Sequence, residues 1–341
     1  MRPPIFEFLD NPAGGFLFDQ LIRKYKVDFS QVPPDTETIN TMLATLRIPQ
    51  FLPGNRTWYV DPVNGTDTYT IQQINADVNV GKGLHTSRAF KTPQVCLDFV
   101  AANFNINTRV GTIQLLNGTH PGFTLPSYPV TTGRLQVFGE GLSTLIASTT
   151  STRSYNISAA TNAGLWYVEN MKLQQVSDGN QIQGASIGNM YVASGCLVYI
   201  RDIHMTTNVT GSYDEYLYML RCGSGGAVHL LTNNTIERLA SSNKATAMYG
   251  GLFGFDGRAG GIDEYHLTIK GNFSPVIDVT NREMFERHVL NLPRIAGEGQ
   301  VTGKRYNVRA GALIDTKGGG PNFFPGDAVG TVDSANFGAY K

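Results

Sequence analysis

Val168-Glu169-Asn170-Met171-Lys172-Leu173 is answered further along the chain by Ile200-Arg201-Asp202-Ile203-His204-Met205, and again by Leu231-Thr232-Asn233-Asn234-Thr235-Ile236. The shared frame is an apolar residue, a small or polar one two places on, and a second apolar one three places after that. Outward from these three copies the frame extends to Val137, Gly139 and Leu142 upstream and to Ile262, Glu264 and Leu267 downstream. Its middle members lie 31, 32, 31 and 31 residues apart. A weaker copy stands at Leu115 and Asn117, with His120 where the second apolar residue should be. Glycines keep the same beat at Gly133, Gly164, Gly195 and Gly226. A fixed period of this size marks a solenoid, in which one repeat cannot bury its own apolar face and stacks on the next.

The content of the repeats selects the kind of solenoid. Segments such as 164–174 and 195–205 are short, rich in Val, Ile, Leu, Tyr and Thr, and alternate apolar with polar residues between Gly, Asn, Asp and Ser clusters, which is strand patterning. No run between 107 and 280 shows the three-and-four spacing that helical repeats require. The fold class predicted is therefore all-β, a right-handed parallel β-helix spanning 57–300, with a short helical or extended segment at 1–56 and a small β segment at 301–341. Asn170, Asp202 and Asn233 should stack as a ladder at one bend, flanked by Gly139 and Glu264. An evenly spaced β-sandwich is the competing architecture, and the equal glycine intervals weigh against it.

Composition narrows the function classes. Basic and acidic residues balance at 27 each and make up only 16% of the 341 residues, so no nucleic-acid-binding surface is indicated. The 38 glycines suit a chain with many tight turns. Met1 to Asp10 holds no long apolar run, so neither a signal peptide nor membrane insertion is expected, and the chain is expected to be made in a cytoplasm. Cys96, Cys196 and Cys222 lack metal-ligand spacing and read as small buried apolar residues.

Two helices are predicted. Within the proline- and aromatic-rich stretch 1–56, Asp35 can cap a helix whose stripe is Ile39, Met42, Leu43 and Leu46, a face suited to docking. The second spans 93–104, with Thr92 as N-cap, Pro93 at its first position and Val95, Cys96, Phe99 and Val100 on its apolar side. Placed just before the first coil, it would cover the open end of the stack.

Tyr59-Val60-Asp61, Asn64-Gly65, Asp67 and Ala89-Phe90-Lys91-Thr92, followed by that helix, resemble the opening of the pectate-lyase-like β-helices of bacteriophage tail fibres and tailspikes. Gly139-Glu140-Gly141-Leu142-Ser143-Thr144-Leu145-Ile146 is similar to the turn and strand that follow there. The chain departs from that pattern by a longer insertion at 68–88. At the other end, Thr302-Gly303-Lys304-Arg305-Tyr306, Gly311, Ile314, Gly318 to Gly320 and Phe323-Phe324-Pro325-Gly326 are similar to closing segments of phage appendage proteins, which neighbouring chains usually complete. The resemblance implies a virion component, a homotrimer anchored to other virion proteins through 1–56, with the β-helix touching a host-surface glycan or receptor.

The site residues follow from chemistry. Tyr213, Tyr216 and Tyr218 in the loop 206–219 offer aromatic rings to a ligand, and 240–261 is a second candidate contact loop. A glycan hydrolase or lyase on the same scaffold is the alternative, and it needs two carboxylates facing one groove. Asp214, Glu215 and Asp256 are the catalytic candidates, although no spacing singles out a pair. Glu169, Arg201 and Asp263 neighbour inward positions and are expected to point outward. His204, His229 and His266 fall at different offsets in the frame and do not define a metal site. Asp61, Asn64 and Asp67 read as an Asx-turn rather than a calcium loop, and no cofactor is implied.

Overall fold

Alternation decides which side chains turn inward. Along the strand Gly164–Val176, Trp166, Val168, Met171 and Leu173 are buried, while Leu165, Tyr167 and Lys172 keep some exposure. An inward residue meets its equivalents on the neighbouring coils, because every pairing along the stack is parallel. Val137, Val168 and Ile200 are successive members of one such column. The structure, a computed structural model, describes residues 50–52, 54–68, 89–106, 108–128, 133–149, 155–176, 186–209, 217–239, 245–255, 265–279, 284–286, 295–297, 300–316 and 318–341.

Three parallel sheets form the walls of the solenoid. The first carries, in order, Arg56–Val60, Val110–Leu115, Arg134–Gly139, then 164–169, 196–201, 227–230, 252–255, Met284–Glu286, Leu313–Asp315 and Ala339–Tyr340. The second runs from Gly118–Pro121 through Thr144–Thr149, 171–176, 203–207, Asn234–Arg238 and Leu267–Asn272 to the short strands Ile295–Ala296 and Val301–Thr302. The third begins at Phe123–Leu125 and passes through Tyr155–Ala159, Gly188–Val192, 218–222, 246–250, Ile277–Val279 and Tyr306–Val308 to Thr331–Val332. The strands at 306–340 thus continue the same ladders as the coils before them. The core is one apolar cluster running through all three walls, and each fully buried Val, Leu, Ile, Met or Phe adds about 1.5–3 kcal/mol of burial free energy.

The polar ladder forms where the frame placed it. Asn170, Asp202 and Asn233 turn the corner between the first and second sheets in left-handed backbone conformation, with φ of 61°, 53° and 61°. Asparagine and aspartate tolerate that region better than other non-glycine residues because their short side chains bond locally. Asn233 donates to Asp202 Oδ1 at 3.0 Å, and Asn170 donates to the Gly139 carbonyl at 2.9 Å. Gly139 must lack a side chain, since a Cβ there would stand 2.3 Å from the Asn170 carbonyl oxygen.

At both ends the frame slips. Leu173 pairs with Ile146 rather than Leu142, which is 60% exposed on the corner. Ile236 pairs with Ile269, two residues beyond Leu267, so the register brings His266 beside Asn233; Glu264 lies outside the described residues. The glycine beat is also not the stacking register, because Gly164 faces Cys196 and the Gly195 amide donates to the Gly225 carbonyl at 3.0 Å.

The helix Pro93–Asn103, here α1, closes the start of the stack. Cys96, Leu97 and Val100 are buried, and Val95 and Phe99 pack against the core edge. The Thr92 hydroxyl does not cap the helix but donates to Asp67 Oδ2 at 2.9 Å, while Asp67 Oδ1 accepts the Lys91 and Thr92 amides. A carboxylate at a helix N-terminus also complements the helix dipole. Gln50–Phe51 pairs in parallel with Phe104–Asn105 just after α1, and Leu52 is buried beside it. The helix predicted at 35–46 and the rest of 1–49 lie outside the described residues. No helix of the described residues is long and apolar enough to cross a membrane.

Polar groups inside the walls are met locally. His120, at the head of the second sheet's inward column, is fully buried, and one ring nitrogen bonds the Leu116 carbonyl at 2.8 Å. Burial pushes its pKa below the ordinary histidine value, outweighing that carbonyl and Asp61. Asn156 donates to Asn189 at 2.7 Å, a two-step ladder within the third sheet. Asp61 accepts the Val63 and Asn64 amides at 2.9 and 3.0 Å, which is the Asx-turn expected. Burial works against its charge, but the Asn64 and Val63 bonds outweigh it and hold the carboxyl below the ordinary value. All three cysteines are buried and free of disulfides.

Candidate ligand-binding face

Of the residues expected to bind or cleave a ligand, Tyr218 is described; Tyr213, Asp214, Glu215, Tyr216 and Asp256 lie outside the described residues, as does Asp263. Tyr218 opens a strand of the third sheet, and the outward column of that sheet is where its neighbours come from. Register places Ser158, Tyr191, Arg221, Tyr249, Asp278, Asn307 and Thr331 on successive rungs. Neighbouring rungs stand about 4.8 Å apart, so rings and charges on this column touch.

Two tyrosine pairs flank one arginine. Tyr218 and Tyr249 have ring centroids 4.1 Å apart, and Tyr155 and Tyr191 lie 5.5 Å apart. The Arg221 guanidinium stands 5.4 Å from the Tyr191 ring and 5.6 Å from those of Tyr218 and Tyr249. The Tyr155 phenol lies close enough to favour the charge on Arg221. Gly188, on the rung between Tyr155 and Tyr218, makes this crowding possible: a Cβ there would meet the Tyr218 carbonyl oxygen at 1.7 Å and the Tyr155 ring at 3.0 Å.

One rung beyond Tyr249, Asp278 is almost fully covered and takes a bidentate pair of bonds from Arg309, at 3.0 and 2.7 Å. Asn307 adds a third bond at 3.2 Å. The Asp278 bond is the main reason the Arg309 pKa lies above its ordinary value. Burial favours the neutral phenols: it raises Tyr218, with Tyr249 adding to the effect and Arg221 opposing it, and it pushes Tyr155 up to about 12 despite Arg221. For Arg221, burial acts against the charge, yet the Tyr155 hydroxyl and the other phenols prevail and raise its pKa.

The Tyr155 shift has a consequence for stability. A phenol held above its ordinary value of 10.0 binds its proton more tightly when folded than unfolded. Stability is therefore full below pH 10 and falls as pH rises from 10 to about 12, by roughly 2 kcal/mol for this residue. Denaturant unfolding at pH 9 and pH 12 checks it: Tyr155→Phe should flatten this part of the alkaline loss, and an unchanged pH slope would contradict the assignment.

A second aromatic stack lies outside the first sheet. Tyr167 and Tyr199 are parallel at 4.8 Å, His229 meets Tyr199 edge-on at 4.9 Å, and the Arg134 guanidinium covers Tyr167 at 3.7 Å. Beside it, Arg134 and Arg201 both bond Glu169 from the rungs on either side. Glu169 does stand on the outer side of its strand, as expected, yet it is 1% exposed because the two arginines close over it. His204 bonds Glu237 at 2.9 Å, and His266 is buried. Among the described residues no three His, Cys, Asp or Glu side chains come together as a metal site.

The outer faces therefore carry different chemistry. On the first and second sheets, the outward carboxylates Glu169, Asp202 and Glu237 each hold an arginine, an amide or an imidazole. The third sheet presents phenol rings around a half-exposed arginine, flanked by a locked Asp278–Arg309 pair. Such a band can stack against C–H faces and donate hydrogen bonds, which is how a surface holds a sugar chain. Fold and site together define a parallel β-solenoid with an aromatic, arginine-bearing outer face. Comparison with family models, curated proteins and solved structures finds no match.

Proposed function

We propose that this chain is a structural appendage subunit of a bacteriophage-like particle, a tail fibre, tailspike or head spike, whose β-helix binds a glycan on the host surface through the third sheet. In this reading 1–56 anchors the chain to other virion proteins and three copies associate side by side. The observation that carries it is the outward column Tyr191–Arg221–Tyr249–Asp278–Asn307, which lines up stacking rings and fixed hydrogen-bonding groups along one straight wall. A straight row repeating every rung suits an extended polymer better than a small compact ligand. The parallel solenoid closed by α1, and the resemblance carried by Tyr59-Val60-Asp61 and Ala89-Phe90-Lys91-Thr92, support the appendage setting.

The test is binding of the full chain to host surface polysaccharide. Tyr249 packs on Tyr218 and faces Arg221, so Tyr249→Ala should weaken binding at least tenfold, about 1.4 kcal/mol, as truncation of an aromatic anchor does. Tyr167→Ala, on the other wall, should leave binding within about twofold. Equal losses from both variants, or none from Tyr249→Ala, would contradict the placement of the site.

A further inference from the structure

Arg221 differs from the other outward arginines of the walls. Arg134 and Arg201 share Glu169, and Arg309 is held bidentately by Asp278. The rungs on either side of Arg221 carry Tyr191 and Tyr249 instead of a carboxylate. Among the described residues no acidic side chain forms an ion pair with it, and its Nε is buried without a hydrogen-bond partner. The three rings and the Tyr155 hydroxyl stabilise the cation, but they do not neutralise it.

A guanidinium in this state is built to take an oxyanion. Its planar fork matches a carboxylate with two parallel bonds, and partial burial strengthens such a pair relative to one in open solvent. The surrounding rings add a second requirement, because they stack against an apolar face rather than against water. A free phosphate or sulfate satisfies the fork and leaves the rings unused. A pyranose bearing a carboxylate satisfies both in one residue. Resting on the glycan-binding reading above, we propose that Arg221 is the anchor for the carboxylate of an acidic sugar, with Tyr191, Tyr218 and Tyr249 holding the ring that bears it.

The experiment titrates the full chain with oligosaccharides of N-acetylneuraminic acid and of glucuronic acid, each beside its counterpart with the carboxyl reduced to an alcohol. The chain should prefer at least one acidic form over its reduced counterpart by tenfold or more, and the preference should shrink as salt rises. Arg221→Gln should bring that ratio close to one. Arg221→Lys, which keeps the charge and loses the fork, should lower it several-fold, and it decides the matter if Arg221→Gln does not fold. A chain that binds acidic and reduced forms equally, or variants that keep the full ratio, would overturn the carboxylate anchor while leaving glycan binding intact. Binding to none of the four by a chain that also ignores host polysaccharide would remove the glycan reading and this inference with it.

Discussion

Trp166→Ala is expected to lower stability by about 3–5 kcal/mol, the range for emptying a large aromatic site in a packed core. Trp166 is 1% exposed and sits in the middle of the stack, with Leu135 and Val198 as its neighbours on the rungs either side. Its indole N–H donates to the Ala163 carbonyl at 2.8 Å, so the substitution orphans a buried acceptor as well as leaving a cavity. Neighbouring rungs cannot close the gap easily, because their spacing is fixed by the parallel ladders. In a solenoid, where each coil depends on its neighbours, the damage should spread along the stack instead of staying local. Denaturant unfolding followed by tryptophan and far-ultraviolet signals checks this. A loss under about 1 kcal/mol would mean the site collapses around the gap and the columns are not rigid.

Gly188→Ala is expected to do comparable harm by the opposite route. The new Cβ would lie 1.7 Å from the Tyr218 carbonyl oxygen and 2.7 Å from its carbon, both backbone atoms. Backbone in a ladder cannot yield by more than an ångström without releasing its bonds, among them the one from the Tyr218 amide to the Ile187 carbonyl at 2.8 Å. The expected result is a loss of about 3 kcal/mol or more together with loss of polysaccharide binding, since the same shift moves Tyr218 away from Arg221. Gly54→Ala is the matched control. Nothing lies within 4 Å of a Cβ at Gly54, so that variant should stay within about 0.5 kcal/mol of the parent. Equal melting curves for the two variants would contradict the register given for the third sheet.

The architecture was legible in the sequence to the extent that one corner repeats. Asn170, Asp202 and Asn233 share a backbone conformation that few residues tolerate, so their recurrence could be read directly. Beyond the central coils the frame misled, because corners and loops change length while the ladders do not: Gly139 to Thr144 takes extra residues, and Leu142 is left outside. The glycine spacing was a similar coincidence of length, broken by the irregularity between Cys222 and Ala227.

The candidate face was harder to see. Tyr191, Arg221, Tyr249, Asp278 and Asn307 lie 30, 28, 29 and 29 residues apart, never at the spacing of the corner frame. Attention to inward apolar columns also passes over outward residues by construction. A signal did exist: Tyr, Arg and Tyr recur in strands that each carry a matching inward residue two places from a small one, as in Met190 and Val192, Leu220 and Cys222, and Met248 and Gly250. Aligning the chain on those inward pairs would have brought the three outward residues together. The closure of Glu169 was visible in the same way, since Arg201 follows it by one coil. It went unseen because alternation gives the side of a strand, not what covers it.

Oxidative footprinting of the tyrosines, with and without host polysaccharide, tests the assignment of the face most directly. Modification of Tyr191, Tyr218 and Tyr249 should fall at least severalfold on binding, while Tyr167 and Tyr199 on the first wall keep their reactivity. Protection of Tyr167 and Tyr199 with Tyr191, Tyr218 and Tyr249 unchanged would place the ligand on the wrong side of the solenoid and contradict the account.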